Sequence, residues 1–333
     1  MTASAAVHAY PNVLLKQSAK RTASTLSTLT NASNAVHVQV YVLLKLPSPK
    51  NNIGPSNTTE HDRGVLGSPL PFQDNSHPEN DMIYDPNTER LDRINENLSL
   101  IQYKEGLTFG TDSYLLAAFT RFQKNGIGVE FGGGTGVVSL LAASRGRLGT
   151  IHCAEIQPYF AGLIGRNAEL NGLSDKVIPV LSDIRELTPE KFGCEVHAVF
   201  SNPPYMKPGS GRDNASPEMN TARREENGTI FDFASSARRL LRHGGYFTAV
   251  YRPDRLAELL HAMRENALEP KRLVMVYPSV ADKPCLVLAE GKKGASPGMV
   301  VSRPLVIYAD KASGTYTDDM TRVYDEFSME FLF

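Results

Sequence analysis

Residues 199–208 read VFSNPPYMKP, an apolar strand-like run that ends on Asn202, Pro203, Pro204 and Tyr205. Proline fixes φ, has no N–H to give a sheet, and pushes the residue before it into an extended conformation. The pair makes a stiff corner whose carbonyls have few local partners, followed by an aromatic side chain, and such a corner is costly unless something uses it. A second unusual stretch is VEFGGGTGVVSLLAA (129–143), where Glu130, Gly132, Gly134 and Gly136 stand in E-x-G-x-G-x-G spacing. Glycines allow positive φ and let a ligand approach the main chain, while a helix start presents free N–H groups. The spacing fits a cofactor cradle as well as a turn that only joins strand to helix. It fails the dinucleotide fingerprint, because the last glycine position is Val137 in one register and Ser139 in the other.

Two acids close the next two strand-like runs: Glu155 after TIHCA and Asp183 after VIPVLS. Glu155 has the spacing at which an open α/β sheet places a carboxylate against a ribose diol, and Asp183 could face an adenine amino group. Taken singly, each also reads as a solvated strand end. With the glycine turn, they share the carboxyl ends of successive strands, where open sheets bind ligands.

The elements that must position these residues are short β-branched runs alternating with helical patterns from about residue 89 onward. The runs lie at 126–132, 150–156, 177–183, 198–204, 245–251, 271–278 and 285–291. Alternation predicts a parallel sheet covered by helices, and the last two runs, with no helix between them, predict a closing antiparallel pair. In TIFDFASSARRLLRHGG, Ile230, Phe233, Ala234, Ala237, Leu240 and Leu241 share one helical face, and Gly244-Gly245 is the expected stop. Pro158 and Pro253 mark first helical turns, and Asn171-Gly172 ends the first of those helices. Residues 1–88 are rich in Ser, Thr, Asn and Pro without sustained periodicity, so they are expected to be mostly disordered, leaving 89–333 as the folded domain. An acid-free, Ser/Thr-rich start suits either an organelle transit peptide or an upstream mis-assigned start. The reading is otherwise cytoplasmic.

Charge limits the choice of partner. Residues 1–59 hold five basic and no acidic side chains, which leaves 30 basic against 36 acidic in residues 60–333, a net of −6. A net-acidic body does not attract nucleic acid by its bulk field, so any such partner must meet a local patch. Cys153, Cys194 and Cys285 lie far apart without ligand spacing, which argues for core thiols in a reducing compartment and against a structural metal. No apolar run reaches the length of a membrane span.

EFGGGTG, Glu155 and NPPY together resemble the class I S-adenosylmethionine-dependent methyltransferases that act on amino groups. In those proteins a seven-stranded sheet carries cofactor motifs on its first three strands and [DNS]-P-P-[YFW] after the fourth. LIQYKEGLTFGTDSYLLAAF (100–119), NPPYMKPGSGRDNAS (202–216), LEPKRLVMVYPS (268–279) and PLVIYADKASGTYTDDM (304–320) are similar, in order and spacing, to the tRNA adenine-N6 methyltransferase family that modifies position 37 beside the anticodon. The resemblance covers residues 90–333. It implies an α/β, Rossmann-like class I fold with a seven-stranded, mostly parallel sheet and a C-terminal antiparallel hairpin. It also implies S-adenosylmethionine as cofactor, a tRNA anticodon loop as partner, no metal, and Gly110, Thr111 and Asp112 beside the methionine end of the cofactor. Thr111 or Asp112 reads equally well as a helix N-cap. Arg223-Arg224-Glu225 departs from the Arg-His-Glu expected there.

The resemblance gives the corner a use. Adenine's exocyclic nitrogen is a poor nucleophile because its lone pair is delocalised into the ring. Asn202 Oδ1 and the Pro203 carbonyl, each accepting one N–H, would favour the more pyramidal nitrogen of the transition state. Pro204 keeps the corner rigid, Tyr205 stacks on the base, and no general base is required. Candidate phosphate contacts are Lys207, Arg212, Arg223 and Arg224 in the following loop, which rank first because they adjoin the corner, and then Arg238, Arg239, Arg242, Lys271, Arg272, Lys292 and Lys293, most of which also read as a solvated helix face or turn. Other planar amino groups remain as acceptors: a release-factor glutamine amide, or adenine in ribosomal RNA or DNA. A nicotinamide oxidoreductase is disfavoured by the missing last glycine, and an inactive binding protein by the intact Asn202, Tyr205, Glu155 and glycine turn.

Overall fold

The computed structural model describes residues 83–104, 109–146, 148–204 and 228–333. Strands β1 (Glu89–Asn95) and β2 (Leu98–Tyr103) form an antiparallel hairpin. There follow α1 (Thr111–Phe119), β3 (Ile127–Phe131), α2 (Val137–Ser144), β4 (Thr150–Glu155), α3 (Pro158–Leu170), β5 (Val177–Leu181) and β6 (Val196–Ser201). Beyond these stand α4 (Ile230–Leu240), β7 (Leu241–Tyr251), α5 (Leu256–Glu265), β8 (Leu268–Tyr277) and β9 (Leu286–Lys293). The last described elements are β10 (Val300–Val301), β11 (Leu305–Val306), β12 (Tyr308–Asp310), β13 (Thr315–Tyr316) and α6 (Asp318–Glu326).

The main sheet runs β10-β8-β9-β7-β6-β3-β4-β5, with β11 also pairing with β8. Strands β3 to β7 are mutually parallel, and β9 is antiparallel to both β7 and β8. The expected seven-stranded, mostly parallel sheet with its antiparallel closing pair is therefore β3 to β9. Two short strands extend it to nine. They are two residues each and flank Pro304, which has no N–H to continue a ladder, so neither gave a readable run. The chain leaves β3 toward β4 and β5, then returns to the other side of β3 as β6. This strand-order reversal opens a crevice at the carboxyl ends, the place where doubly wound sheets take ligands.

Helices cover both faces. Leu115, Leu116, Leu140, Leu141 and Ile164 pack in one buried cluster, and Phe233, Ala237, Leu240, Leu259 and Met263 in the other. The apolar residues that α4 buries are those its spacing predicts, Ser236 is buried beside them, and Thr229 with Asp232 forms a capping box at its start. Its end differs from expectation. The helix stops at Leu240, Leu241 already pairs with Val196 as the first residue of β7, and Gly244 lies inside the strand at φ 76°. Pro158 opens α3 as expected, while Pro253 opens a 3-10 turn that leads into α5. Cys153 is buried and Cys285 half-buried, but Cys194 is exposed and not a core thiol.

Candidate active site

The glycine turn joins β3 to α2 in a conformation that side chains resist. Gly132, Gly134 and Gly136 have φ of 69°, 54° and 80°. A Cβ on Gly132 or Gly134 would point into open space, so the main chain there forms the wall of a cradle. Gly133 is required for a different reason: a Cβ would lie 2.1 Å from Cys153 Sγ. Glu130 braces the turn from below. Its Oε2 accepts from the Ser139 N–H at 3.0 Å, from the Ser139 hydroxyl, and from Cys153 Sγ at 3.3 Å. Burial pushes its carboxyl up to about 7, against the lowering effect of those bonds.

Glu155 closes β4 across from the turn. Its Oε2 accepts from Gly134 N at 2.9 Å, and its Oε1 from Ile156 N at 2.9 Å and Gln157 N at 3.0 Å. The carboxyl is 6% exposed, and burial raises it above the ordinary carboxylate range. Asp183 follows β5 and caps the short 3-10 turn after it. Its carboxylate is closed onto Arg185, at 2.8 Å from the backbone N and 2.5 Å from Nη2, which holds it below the usual range.

The corner after β6 is tied to the start of α1. Ser201 Oγ donates to the Phe131 carbonyl at 2.8 Å, locking the strand end to β3. Asn202 Nδ2 donates to Asp112 Oδ2 at 2.7 Å. A carboxylate only accepts, so this contact fixes which way the Asn202 carboxamide faces and turns Oδ1 away from Asp112. Among the described residues, neither Asn202 Oδ1 nor the Pro203 carbonyl receives a hydrogen bond. Both residues line the same cleft. The N-cap of α1 is Gly110, with no side-chain cap, so neither Thr111 nor Asp112 plays that part.

One cleft of about 240 Å³ gathers most of the predicted residues: Gly110, Asp112, Glu130, Gly132, Gly134, Glu155, Asp183, Asn202, Pro203 and Pro204 all line it. Thr111 and Gly136 do not, Gly136 instead capping α2 with its Cα facing Ile164. Tyr205, Lys207, Arg212, Arg223 and Arg224 lie outside the described residues. Phe109, Ile156, Phe160, Ile184 and Phe233 supply apolar walls that the sequence reading missed. One signal was available, since Ile156 is an apolar residue directly after the acid of a strand end; in the structure it is 38% exposed. An open glycine cradle, a buried carboxylate opposite it and apolar walls fit a nucleoside-bearing cofactor such as S-adenosylmethionine. Among the described residues no three His, Cys, Asp or Glu side chains gather to hold a metal, and no helix is long and apolar enough to cross a membrane.

No family model matches the chain. In sequence it is similar to curated tRNA1(Val) (adenine(37)-N6)-methyltransferases. That of Bacteroides fragilis is 26% identical over 186 residues, covering 55% of this chain and 77% of the relative. That of Flavobacteriaceae bacterium strain 3519-10 is 24% identical over 227 residues, covering 68% and 93%. That of Porphyromonas gingivalis is 26% identical over 226 residues, covering 66% and 87%. In fold it is similar to a solved structure described as a predicted O-methyltransferase from Agrobacterium tumefaciens, with a TM-score of 0.52 at 18% identity over 65% of this chain and 97% of that one. The fold is the Rossmann-like class I methyltransferase fold, and the sequence resembles the tRNA adenine-N6 enzymes.

Proposed function

We propose that this chain is an S-adenosylmethionine-dependent methyltransferase that methylates the exocyclic N6 of an adenine in tRNA, at position 37 beside the anticodon. The observation that carries this reading is the Asp112–Asn202 contact of 2.7 Å at the mouth of the glycine cradle. It fixes the Asn202 carboxamide beside Pro203 on the lining of one cleft, and in this reading Asn202 Oδ1 and the Pro203 carbonyl accept the two hydrogens of one planar amino group. The similarity to curated tRNA methyltransferases supports adenine as that group.

Bound S-adenosylmethionine supplies a methyl group made electrophilic by its sulfonium. The protein's part is positional. With the cofactor bound, Glu155 at the end of β4 would accept from the ribose diol, and the main chain at Gly132 and Gly134 would form the wall beside it. Asp112 holds the Asn202 amide, and Asn202 Oδ1 with the Pro203 carbonyl, accepting the two amino hydrogens, would push density onto the nitrogen as it pyramidalises, so these bonds strengthen toward the transition state. The amino proton becomes acidic only after the methyl has moved, so no side chain need act as base beforehand. Aligning the reacting atoms at about 3–3.5 Å supplies much of the remaining rate. An anticodon-loop base is already single-stranded, so presenting it costs less than extruding a base from a duplex.

The test uses purified protein, methyl-labelled S-adenosylmethionine and an unmodified tRNA pool, with the RNA digested to nucleosides and analysed by mass spectrometry. Label is expected in N6-methyladenosine. Unlabelled tRNA, with label instead on the glutamine of a release factor assayed in a parallel reaction, would replace the acceptor while leaving the corner's chemistry intact.

A further inference from the structure

The amino-terminal edge of the sheet carries a second concavity, of about 380 Å³. Its walls include Arg121 and Gln123 between α1 and β3, His197 at the start of β6, Arg242 and Tyr246 in the first half of β7, and Glu330. The Asn202 corner is at the other end of β6, a strand of six residues and so about 20 Å away. The two sites cannot share one small ligand.

Hydrogen-bond donors outnumber acceptors in this concavity. Arg121 Nε forms only loose ion pairs with Glu290 Oε1 and Glu330 Oε1, each at 3.6 Å and beyond hydrogen-bonding distance. Both acids are already held by Arg272, whose Nε and Nη2 meet Glu290 at 2.9 and 2.7 Å and whose Nη1 meets Glu330. Arg242 gives Nη2 to Gln123 Oε1 at 2.8 Å, and among the described residues it has no carboxylate partner. Lys292 Nζ and Arg121 Cζ stand 5.4 and 5.7 Å from the centre of the Tyr246 ring, so two further cations are drawn toward this wall. His197 Nδ1 accepts from Ile127 N at 3.0 Å, which places the proton of the neutral ring on Nε2 as a donor. Burial and the Arg242 charge hold that imidazole below its ordinary range. The local side chains Arg121, Arg242, Arg272 and Lys292 outweigh Glu290 and Glu330 by two positive charges, on a body that is net acidic.

We propose that this concavity is an anion site that binds a phosphate group, separate from the cofactor cleft. Guanidinium groups present forked donors that match phosphate oxygens, and two of them on different walls suit a tetrahedral anion with more than two acceptor oxygens better than a planar carboxylate. The phosphate is either that of a small molecule or one of an RNA backbone. The two sources present the same oxygens and are separated by experiment.

The full chain is titrated calorimetrically with pyrophosphate and, separately, with a short RNA stem–loop at several salt concentrations. Arg242→Glu and Arg121→Met are compared with the parent, and S-adenosylmethionine binding serves as the control for folding. Arg242 is exposed, so its charge reversal leaves the fold in place. The expected result is a loss of about tenfold or more in pyrophosphate affinity in both variants, with cofactor binding unchanged. Loss confined to the RNA arm, with a salt slope reduced by about one, supports the site and assigns the phosphate to RNA. Unchanged binding of both ligands in both folded variants overturns the proposal. None of these readouts depends on methyl transfer.

Discussion

Asp112 and Asn202 are 90 residues apart in sequence and 2.7 Å apart in space. Substituting Asp112→Asn keeps size and polarity but lets the two carboxamides pair in either sense, so Asn202 Oδ1 loses its fixed direction. Turnover is expected to fall about tenfold or more while the KM for cofactor moves less, as measured by initial rates against both substrates. Equal changes in both would assign Asp112 to cofactor binding alone. Glu130 makes a different kind of prediction. Its folded value of about 7 lies above the ordinary carboxylate range, so the stability it contributes is fully present below pH about 4.5 and is lost as pH rises through 7. Glu130→Gln should therefore become progressively more stable than the parent between pH 5 and 8, by on the order of 3 kcal/mol across that window. Parallel melting curves would contradict the assignment. At this scale the sequence revealed residue types but not their pairings. The glycine spacing announced a turn, whereas the reach of Glu130 to Ser139 depends on how α2 sits over β3. Arg185, two residues beyond Asp183, claims a carboxylate that strand-end logic leaves open.

At the scale of elements, the strand alternation was readable because each buried parallel strand is a short β-branched run. Boundaries were less so. The α4 face continues in register to Leu241, but parallel pairing with β6 starts there and ends the helix three residues before the glycine pair. The way the β1–β2 hairpin is fastened was also illegible, because it uses polar side chains one helical turn apart. Asn167 accepts from Ile101 N at 2.7 Å and donates to Ile101 O at 3.1 Å, while Asn171 accepts from Ser99 N at 2.9 Å and donates to Ser99 O at 2.8 Å. Two carboxamides, one in α3 and one at its C-cap, thereby stand in for a neighbouring strand along the edge of β2. Arg166 adds a bidentate pair to Glu89 at 2.8 and 2.6 Å, which pushes that carboxyl down to about 2. Asn167→Ala leaves both buried Ile101 backbone groups without their partner, and should cost about 2 kcal/mol or more in urea unfolding. A change within about 0.5 kcal/mol would show that water replaces the carboxamide.

At the scale of the whole molecule, the net charge of residues 60–333 opposes RNA binding, so the proposed recognition of tRNA requires a local, salt-sensitive patch. The strand-order reversal between β3 and β6 brings the glycine turn and the proline corner to the same edge, although 65 residues separate Val137 from Asn202. That convergence follows from topology, and topology was the part of the fold best foreshadowed by the strand and helix pattern. The corner's role in turnover is the central claim. Its most direct test measures methyl transfer to unmodified tRNA by Asn202→Ala and the parent, with S-adenosylmethionine affinity determined on the same preparations. The account predicts N6-methyladenosine from the parent, a loss of about 100-fold or more in the variant, and cofactor binding within a few-fold. Undiminished turnover in a variant lacking the Asn202 carboxamide would contradict it.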